Sequence, residues 1–222
     1  MVSAIIFDLD NTLFDPRQIP RHIVAPAIAA VRDANERLGA GAVPGAVLNA
    51  ALEASWTRSF REVVQELELP QALYSAFSDA CANLRVVDRL TPYSDVEALA
   101  ALPVARYLVS TGYPGFQESK VGALGIAGLF EGVYWDVVER DRAPVGKQRV
   151  FERIVREKAL DPLETAVVGD NVSSEIAAGN ALGMITIQIV RDGAGGTGVA
   201  RFEIDTLWQL PAILGFNAPT KG

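Results

Sequence analysis

Cysteine and histidine are almost missing from this sequence, with one of each, Cys81 and His22, in 222 residues. A lone cysteine cannot form an internal disulfide, so Cys81 is expected to be a core thiol in a reducing compartment. A lone histidine excludes any mechanism built on paired histidines. Long apolar runs are also missing, because charges and prolines break every stretch before it reaches membrane-spanning length. No basic leader or signal-peptide core precedes the strand-like run Ala4-Ile5-Ile6-Phe7. The expectation is a cytoplasmic protein with no membrane partner. Positive charge is in deficit: Lys and Arg number 20 against 27 Asp and Glu, for a net charge of −7 and a pI near 4.8. That balance argues against nucleic acid as a partner. It leaves room for a small anionic substrate, because a metal ion and a few local cations can bind one against the overall field.

Apolar residues make up 50% of the chain, and a domain of this length hides roughly 70% of its unfolded surface. One domain with an elaboration, or two small domains, is expected. Short β-rich runs occur at residues 3–7, 104–110, 132–138, 165–169 and 184–190. Helical patterns separate them, for example Val96, Leu99 and Leu102, then Val150, Ile154 and Val155. Strands alternating with helices imply an α/β fold with a mostly parallel sheet covered on both faces.

Residues 16–92 have a different texture. Ala27, Val31, Ala34 and Leu38 form one apolar stripe. Leu48, Leu52, Trp56, Phe60, Val64 and Leu67 form a second, read as a single long helix. Leu73, Phe77, Cys81 and Leu84 form a third. This predicts a helical module inserted after the first strand, with the α/β pattern resuming near Tyr93. The predicted division is a core of residues 1–15 and 93–222 and a helical module of residues 16–92. The tail, Asn217 to Gly222, is expected to fray.

Four segments carry candidate chemistry. The first strand runs into Asp8-Leu9-Asp10-Asn11-Thr12. Residues i and i+2 of an extended chain face one way, so Asp8 and Asp10 project together beyond the strand's C-terminal end, where open α/β sheets bind ligands. Two such carboxylates repel unless a hard cation joins them; one can then act as nucleophile and the other move protons. An acidic turn would carry the same residues. The second segment, Val109-Ser110-Thr111-Gly112, offers hydroxyls and backbone N–H groups to an oxyanion, although ordinary strand-to-turn chemistry reads the same. The third is Gly146-Lys147 at a helix start, a position where a lysine opposes the helix dipole and a bound phosphoryl group would compensate. A solvated lysine is the plainer alternative. The fourth, Val168-Gly169-Asp170 with Glu175, brings one acid that can complete a metal site and one that can hold a metal-bound water or Lys147. Alone, this pair could simply cap a helix.

In this order, the four segments resemble the motifs of the haloacid dehalogenase superfamily, in its phosphatase-like branch with a helical cap. Phe7 to Asp15 is similar to the first motif, Ser110 to the second, Lys147 to the third, and Gly169-Asp170 with Glu175 to the fourth. The run Ala177 to Met184 is similar to the small-residue helix that follows, and the likeness covers roughly residues 3–214. Three positions depart from the pattern: Gln148 stands for a common Pro, Thr111 for a common Asn, and Glu175 for the commoner Asp.

The resemblance implies a Rossmann-like core with an inserted helical cap, and hydrolysis of a small phosphorylated metabolite through an aspartyl phosphate on Asp8. It implies that Asp10 moves protons, that Ser110, Thr111 and Lys147 bind phosphate, and that Mg²⁺ is held by Asp8, Asp10 through its backbone carbonyl, and Asp170. Thr12 and Glu175 would support these groups from behind, and the assembly would be a monomer or homodimer. Dehalogenation expels halide without a proton, which would leave Asp10 idle. The family's phosphonate hydrolase uses a cap lysine, and residues 15–92 contain none. A phosphomutase on the same core, or a binding protein that kept the fold, are the other readings. The helical module carries its cations as arginine alone. Of these, Arg17, Arg21, Arg58 and Arg61 are the candidates for choosing the substrate, by their closeness to the first motif or to Trp56 and Phe60.

Overall fold

A computed structural model describes residues 1–56, 58–138, 144–191 and 196–216; the tail from Asn217 onward lies outside them. Its centre is a six-stranded, wholly parallel sheet. The strands are β1 (Ala4–Phe7), β2 (Ala105–Gly112), β3 (Gly132–Val137), β4 (Thr165–Gly169), β5 (Ile185–Ile189) and β6 (Phe202–Ile204), in the order β3-β2-β1-β4-β5-β6. The fold is α/β and Rossmann-like. Alternation along β1 decides what each face buries. Ile5 and Phe7 join Leu108, Val168 and Ile187 on one side, while Ala4 and Ile6 join Tyr107, Val109 and Val167 on the other. Both faces are therefore apolar, which is why the strands read as near-continuous hydrophobic runs.

Between β1 and β2 the chain forms α1 (Arg21–Arg37), α2 (Gly45–Ala54), α3 (Phe60–Glu66) and α4 (Gln71–Cys81). The insert has its own core, in which Val31, Leu48, Leu52, Phe60, Val64 and Leu73 are all buried. The long second stripe is two helices rather than one. Ser59 takes an extended backbone and its side chain accepts from Glu62 N–H, an N-cap that restarts the helix at Phe60. Leu48, Leu52, Phe60 and Val64 still share one cluster, but Leu67 falls out of phase and is 45% exposed. Cys81 is buried and unpaired, and burial pushes its thiol up to about 12.

After β2 come α5 (Pro114–Leu124), α6 (Lys147–Lys158), α7 (Ala177–Ala181) and α8 (Leu210–Ile213). The segment Ser94–Ala101 is a 3₁₀ helix. Val96, Leu99 and Leu102 stand three apart, the spacing at which 3₁₀ side chains eclipse, and all three are buried. β6 has no counterpart in the sequence reading, since only Ile204 of its three residues is buried. No helix among the described residues is long and apolar enough to cross a membrane.

One buried ion pair ties the two connections of the insert to the sheet. Arg191, just beyond β5, grips Asp95 with both nitrogens at 2.8 and 3.1 Å and donates to the carbonyl of Thr12 at 2.7 Å. Its guanidinium stacks 4.0 Å over Tyr93, whose N–H bonds the carbonyl of Leu13. Burial works against the charge on Asp95. Arg191, the N–H of Leu207 and the hydroxyl of Thr206 outweigh it and hold the carboxyl below its usual range. Removing one partner of a buried pair leaves the other charge unmatched. Asp95→Ala is expected to destabilise the fold by about 3–5 kcal/mol at neutral pH in urea unfolding. Asp95 should stabilise fully above pH ~4, the unfolded value, and this contribution should fade as acid protonates the native carboxylate. A loss under 1 kcal/mol would show that the pair is dispensable.

Candidate active site

The register of the parallel strands brings the four sequence segments together. Phe7 is opposite Leu108 on β2 and Val168 on β4. The residues just beyond, Asp8, Ser110 and Asp170, consequently emerge side by side at the C-terminal edge. Asp8 continues the ladder with one bond, its N–H to Val168 O. The chain then turns sharply. Asn11 takes a left-handed backbone (φ 57°), which Asn tolerates better than most residues, and Leu9, Leu13 and Phe14 anchor the turn beneath at full burial.

Lys147, the first residue of α6, reaches into the site from the other side. Its ammonium lies 2.5 Å from Asp8 Oδ1 and 2.7 Å from Glu175 Oε2, and all three residues are buried. Burial opposes the lysine's charge, but Asp8 and Glu175 outweigh it and raise its pKa, so it is an ammonium throughout the working pH range. The second oxygen of Glu175 accepts the N–H of Asn171 at 2.7 Å. Thr12 donates to Asp170 Oδ1 across a long 3.4 Å contact.

Glu in place of Asp is accommodated by the backbone around it. The turn Val172–Ile176 is wound as a π-helix, wider than an α-turn, before α7 begins. The longer side chain lies directly over Gly169, where an added Cβ would stand 2.1 Å from Glu175 Cγ. Gly169 thus makes room for the residue that orients Lys147.

Carboxylate oxygens of Asp8, Asp170 and Glu175 lie within 4.8 Å of one another. Burial, reinforced by Glu175, pushes Asp170 up to about 7. Burial likewise raises Asp8 well above its usual value; Lys147 opposes this, while Glu175 and Asp170 add to it. One lysine cannot neutralise three acids. The donors are hard oxygens in negative excess, which suits a hard divalent cation.

The other predicted residues fall in two groups. Ser110 is buried beside this cluster and accepts from Gln117, while the Thr111 hydroxyl turns to Asp136 at 3.1 Å. Asp136 also accepts the N–H of Gly146, the residue before Lys147. Asp10 stands apart from the three-acid cluster, gripped through both oxygens by Lys120 at 2.7 Å. The four arginines lie in the insert and its approach. Arg17 pairs with Asp15 and Arg58 with Glu66, Arg21 is exposed at the start of α1, and Arg61 stacks 4.7 Å over Tyr74. Gln117, Lys120 and Asp136 escaped the sequence reading. A signal existed for the first two: on α5 they occupy the buried stripe shared with Val121 and Leu124, where apolar residues belong.

The family model for a haloacid dehalogenase-like hydrolase matches residues 2–183. The chain belongs to that family. A curated relative, glyceraldehyde 3-phosphate phosphatase of Methanocaldococcus jannaschii, is 24% identical over 202 residues, 86% of each chain. Among solved structures, an HAD phosphatase from Thermococcus onnurineus aligns at TM-score 0.61 with 21% identity, over 96% of this chain and 98% of that one. A 2-haloacid dehalogenase from Pseudomonas syringae aligns at 0.56 with 19% identity, over 97% and 99%. Both likenesses show the fold; activity has to be argued from the site. The haloacid dehalogenase-like family generally uses a divalent metal, and the acidic cluster here is able to hold one.

Two outcomes follow from this geometry. Gly169→Ala should force Glu175 off Lys147 and lower turnover at least tenfold, with Glu175→Asp in the same background recovering part of the loss. In metal-free protein, native Asp170 keeps its proton up to about pH 7, whereas the unfolded chain loses it near pH ~4. The native state binds more protons in between, so stability falls as pH rises through that window. Asp170→Asn should reduce the fall by about 1–4 kcal/mol at pH ~8, read by urea unfolding in chelator. An unchanged pH profile would contradict the crowding of acids.

Proposed function

We propose that this enzyme hydrolyses small phosphate monoesters with Mg²⁺, through a covalent phosphoryl group on Asp8. The observation that carries the reading is the division of labour between two acids. Asp8 lies buried against Lys147 inside the three-acid cluster, while Asp10 is held outside it by partners of its own. A dehalogenase would have no task for that second acid, because halide departs without a proton.

Asp8 attacks phosphorus in line; the P–O bond to the carboxylate forms as the ester P–O bond breaks. Asp10, entering this step protonated by the water of the preceding turnover, delivers that proton to the departing oxygen. Asp10 then takes a proton from a water that attacks the phosphoryl group, releasing inorganic phosphate and restoring Asp8. Lys147 and Ser110 hold the phosphoryl oxygens, the kind of electrostatic stabilisation that dominates phosphoryl transfer. Asp8, Asp170 and the backbone carbonyl of Asp10 would hold Mg²⁺, which would supply neutralisation of negative charge at the site. Glu175 keeps Lys147 aimed, and Asn171 N–H keeps Glu175 in place.

The helical insert acts as the cap in this reading. A cavity of about 250 Å³ lies between Ser78 and Asp79 of α4, with Ala82 just after it, and Tyr113 and Pro114 at the head of α5. Tyr113 follows Ser110 by three residues, so this cleft can receive the non-phosphate end of a short phosphorylated metabolite. The name of the M. jannaschii relative fits a substrate of that size. None of the four arginines lines this cleft; Arg61 stacks on Tyr74, whose hydroxyl neighbours that of Tyr113 in the cleft wall.

Release of inorganic phosphate from a panel of phosphorylated metabolites and from nitrophenyl phosphate tests the reading. Turnover should require Mg²⁺ and vanish with chelator. Asp8→Asn should lower it by about 10³ or more, since the covalent route is lost. A variant that kept a tenth of wild-type activity would exclude Asp8 as the nucleophile.

A further inference from the structure

The buried stripe of α5 carries two polar residues, and each is aimed at a different catalytic group. Lys120 is only 4% exposed, and its ammonium lies 2.7 Å from each oxygen of Asp10. Two aromatic rings flank it, Phe14 at 5.6 Å and Phe116 at 5.3 Å, and close off other approaches. Gripping both oxygens fixes the plane of the carboxylate as well as its position. Burying a lysine is costly, and well-packed apolar residues serve stability as well as a buried ion pair does. Packing alone therefore gives no reason for lysine here.

Gln117, one turn earlier, is 2% exposed and spans the gap to the phosphate site. Its Nε2 donates to Ser110 Oγ and to the carbonyl of Thr111 at 3.1 Å, with Asp10 Oδ2 at 3.4 Å. A carbonyl and a carboxylate around the same atom identify it as the amide nitrogen. Because Ser110 Oγ accepts from Gln117, the hydroxyl's own hydrogen is left to donate to another acceptor. Gly112 belongs to this arrangement. A Cβ there would lie 2.8 Å from Gln117 Cδ, so the glycine after Ser110-Thr111 gives the amide its place.

We propose that Gln117 and Lys120 are a pair of positioning residues: Lys120 locks the carboxylate of Asp10, and Gln117 turns the hydroxyl of Ser110 toward the phosphoryl group. One helix face thus aligns the proton-transfer group with the phosphate-holding group. The roles of Asp10 and Ser110 rest on the phosphatase reading above; the alignment is an addition to it.

The test compares kcat/KM for an alkyl phosphate, glycerol phosphate, with that for nitrophenyl phosphate, whose leaving group needs little protonation. This ratio reports the step in which the leaving group departs. Lys120→Met should lower the alkyl value at least ten times more than the aryl value, and Lys120→Arg, able to grip both oxygens, should recover most of the difference. Gln117→Leu should lower both esters alike, by about tenfold and mainly through KM, and Gly112→Ala should reproduce it. Melting curves verify folding; should Lys120→Met not fold, Lys120→Gln carries the same comparison. Equal losses on both esters for the Lys120 variants, or an unchanged KM for Gln117→Leu, would overturn the pairing. Wild-type protein that cleaves neither ester would instead refute the phosphatase reading.

Discussion

Three carboxylates crowded around one ammonium, those of Asp8 and Glu175 buried and that of Asp170 half-buried, set the terms for the rest of this molecule. Lys147 can balance Asp8 or Glu175, and in the structure it touches both, which leaves Asp170 pushed up to about 7 by burial and by Glu175. A protein interior holds such an imbalance only if a further cation or protons complete it. The neighbouring elements are shaped to keep the imbalance in place. Gly169 is small so that Glu175 can pass, the π-turn widens the helix that carries it, and Asp136 ties down Gly146 so that Lys147 enters at a fixed angle.

The same edge carries a second, separate electrostatic unit. Asp10 and Lys120 form a balanced pair between two aromatic rings, outside the acid cluster although Asp10 is two residues from Asp8. The left-handed Asn11 and the buried Leu9, Leu13 and Phe14 bend the chain so that neighbouring acids meet different partners. Two carboxylates of the same chemistry thereby acquire different tasks, one in a region short of positive charge and one already neutralised.

The insert and the sheet are joined where the chain crosses between them, and Arg191 serves both crossings. It holds Thr12 on the way out and Asp95 on the way back, while Tyr93 covers its face. The insert's own apolar cluster means that these helices do not need the sheet to complete most of their burial. The two parts meet near the start of α5, where Ala27, Cys81 and Leu84 pack with Tyr113 and Phe116, and again where Ile23 and Trp56 of the insert join the main core of the sheet. A cleft lined by Ser78, Tyr113, Pro114 and Val137 opens near the start of α5.

Local pattern was enough to reveal the five main strands, the helical insert after β1 and the acids at the strand ends, because burial on both sheet faces and amphipathic spacing leave their mark residue by residue. Asp8, Lys147 and Asp170 stand out in the sequence as candidates because each follows a strand or starts a helix, and Ser110 because it lies near the end of β2. What the sequence could not show was which side chain meets which. Ser59 interrupting a continuous stripe, the three-residue β6 and the 3₁₀ winding of Ser94–Ala101 are settled by capping and packing that leave only faint periodicity. Lys120 and Asp10 are 110 residues apart, and so no local pattern links them. Their pairing exists only because β1 and β2 lie side by side and α5 lays one face against the loop that follows β1, a proximity that strand order and register alone decide.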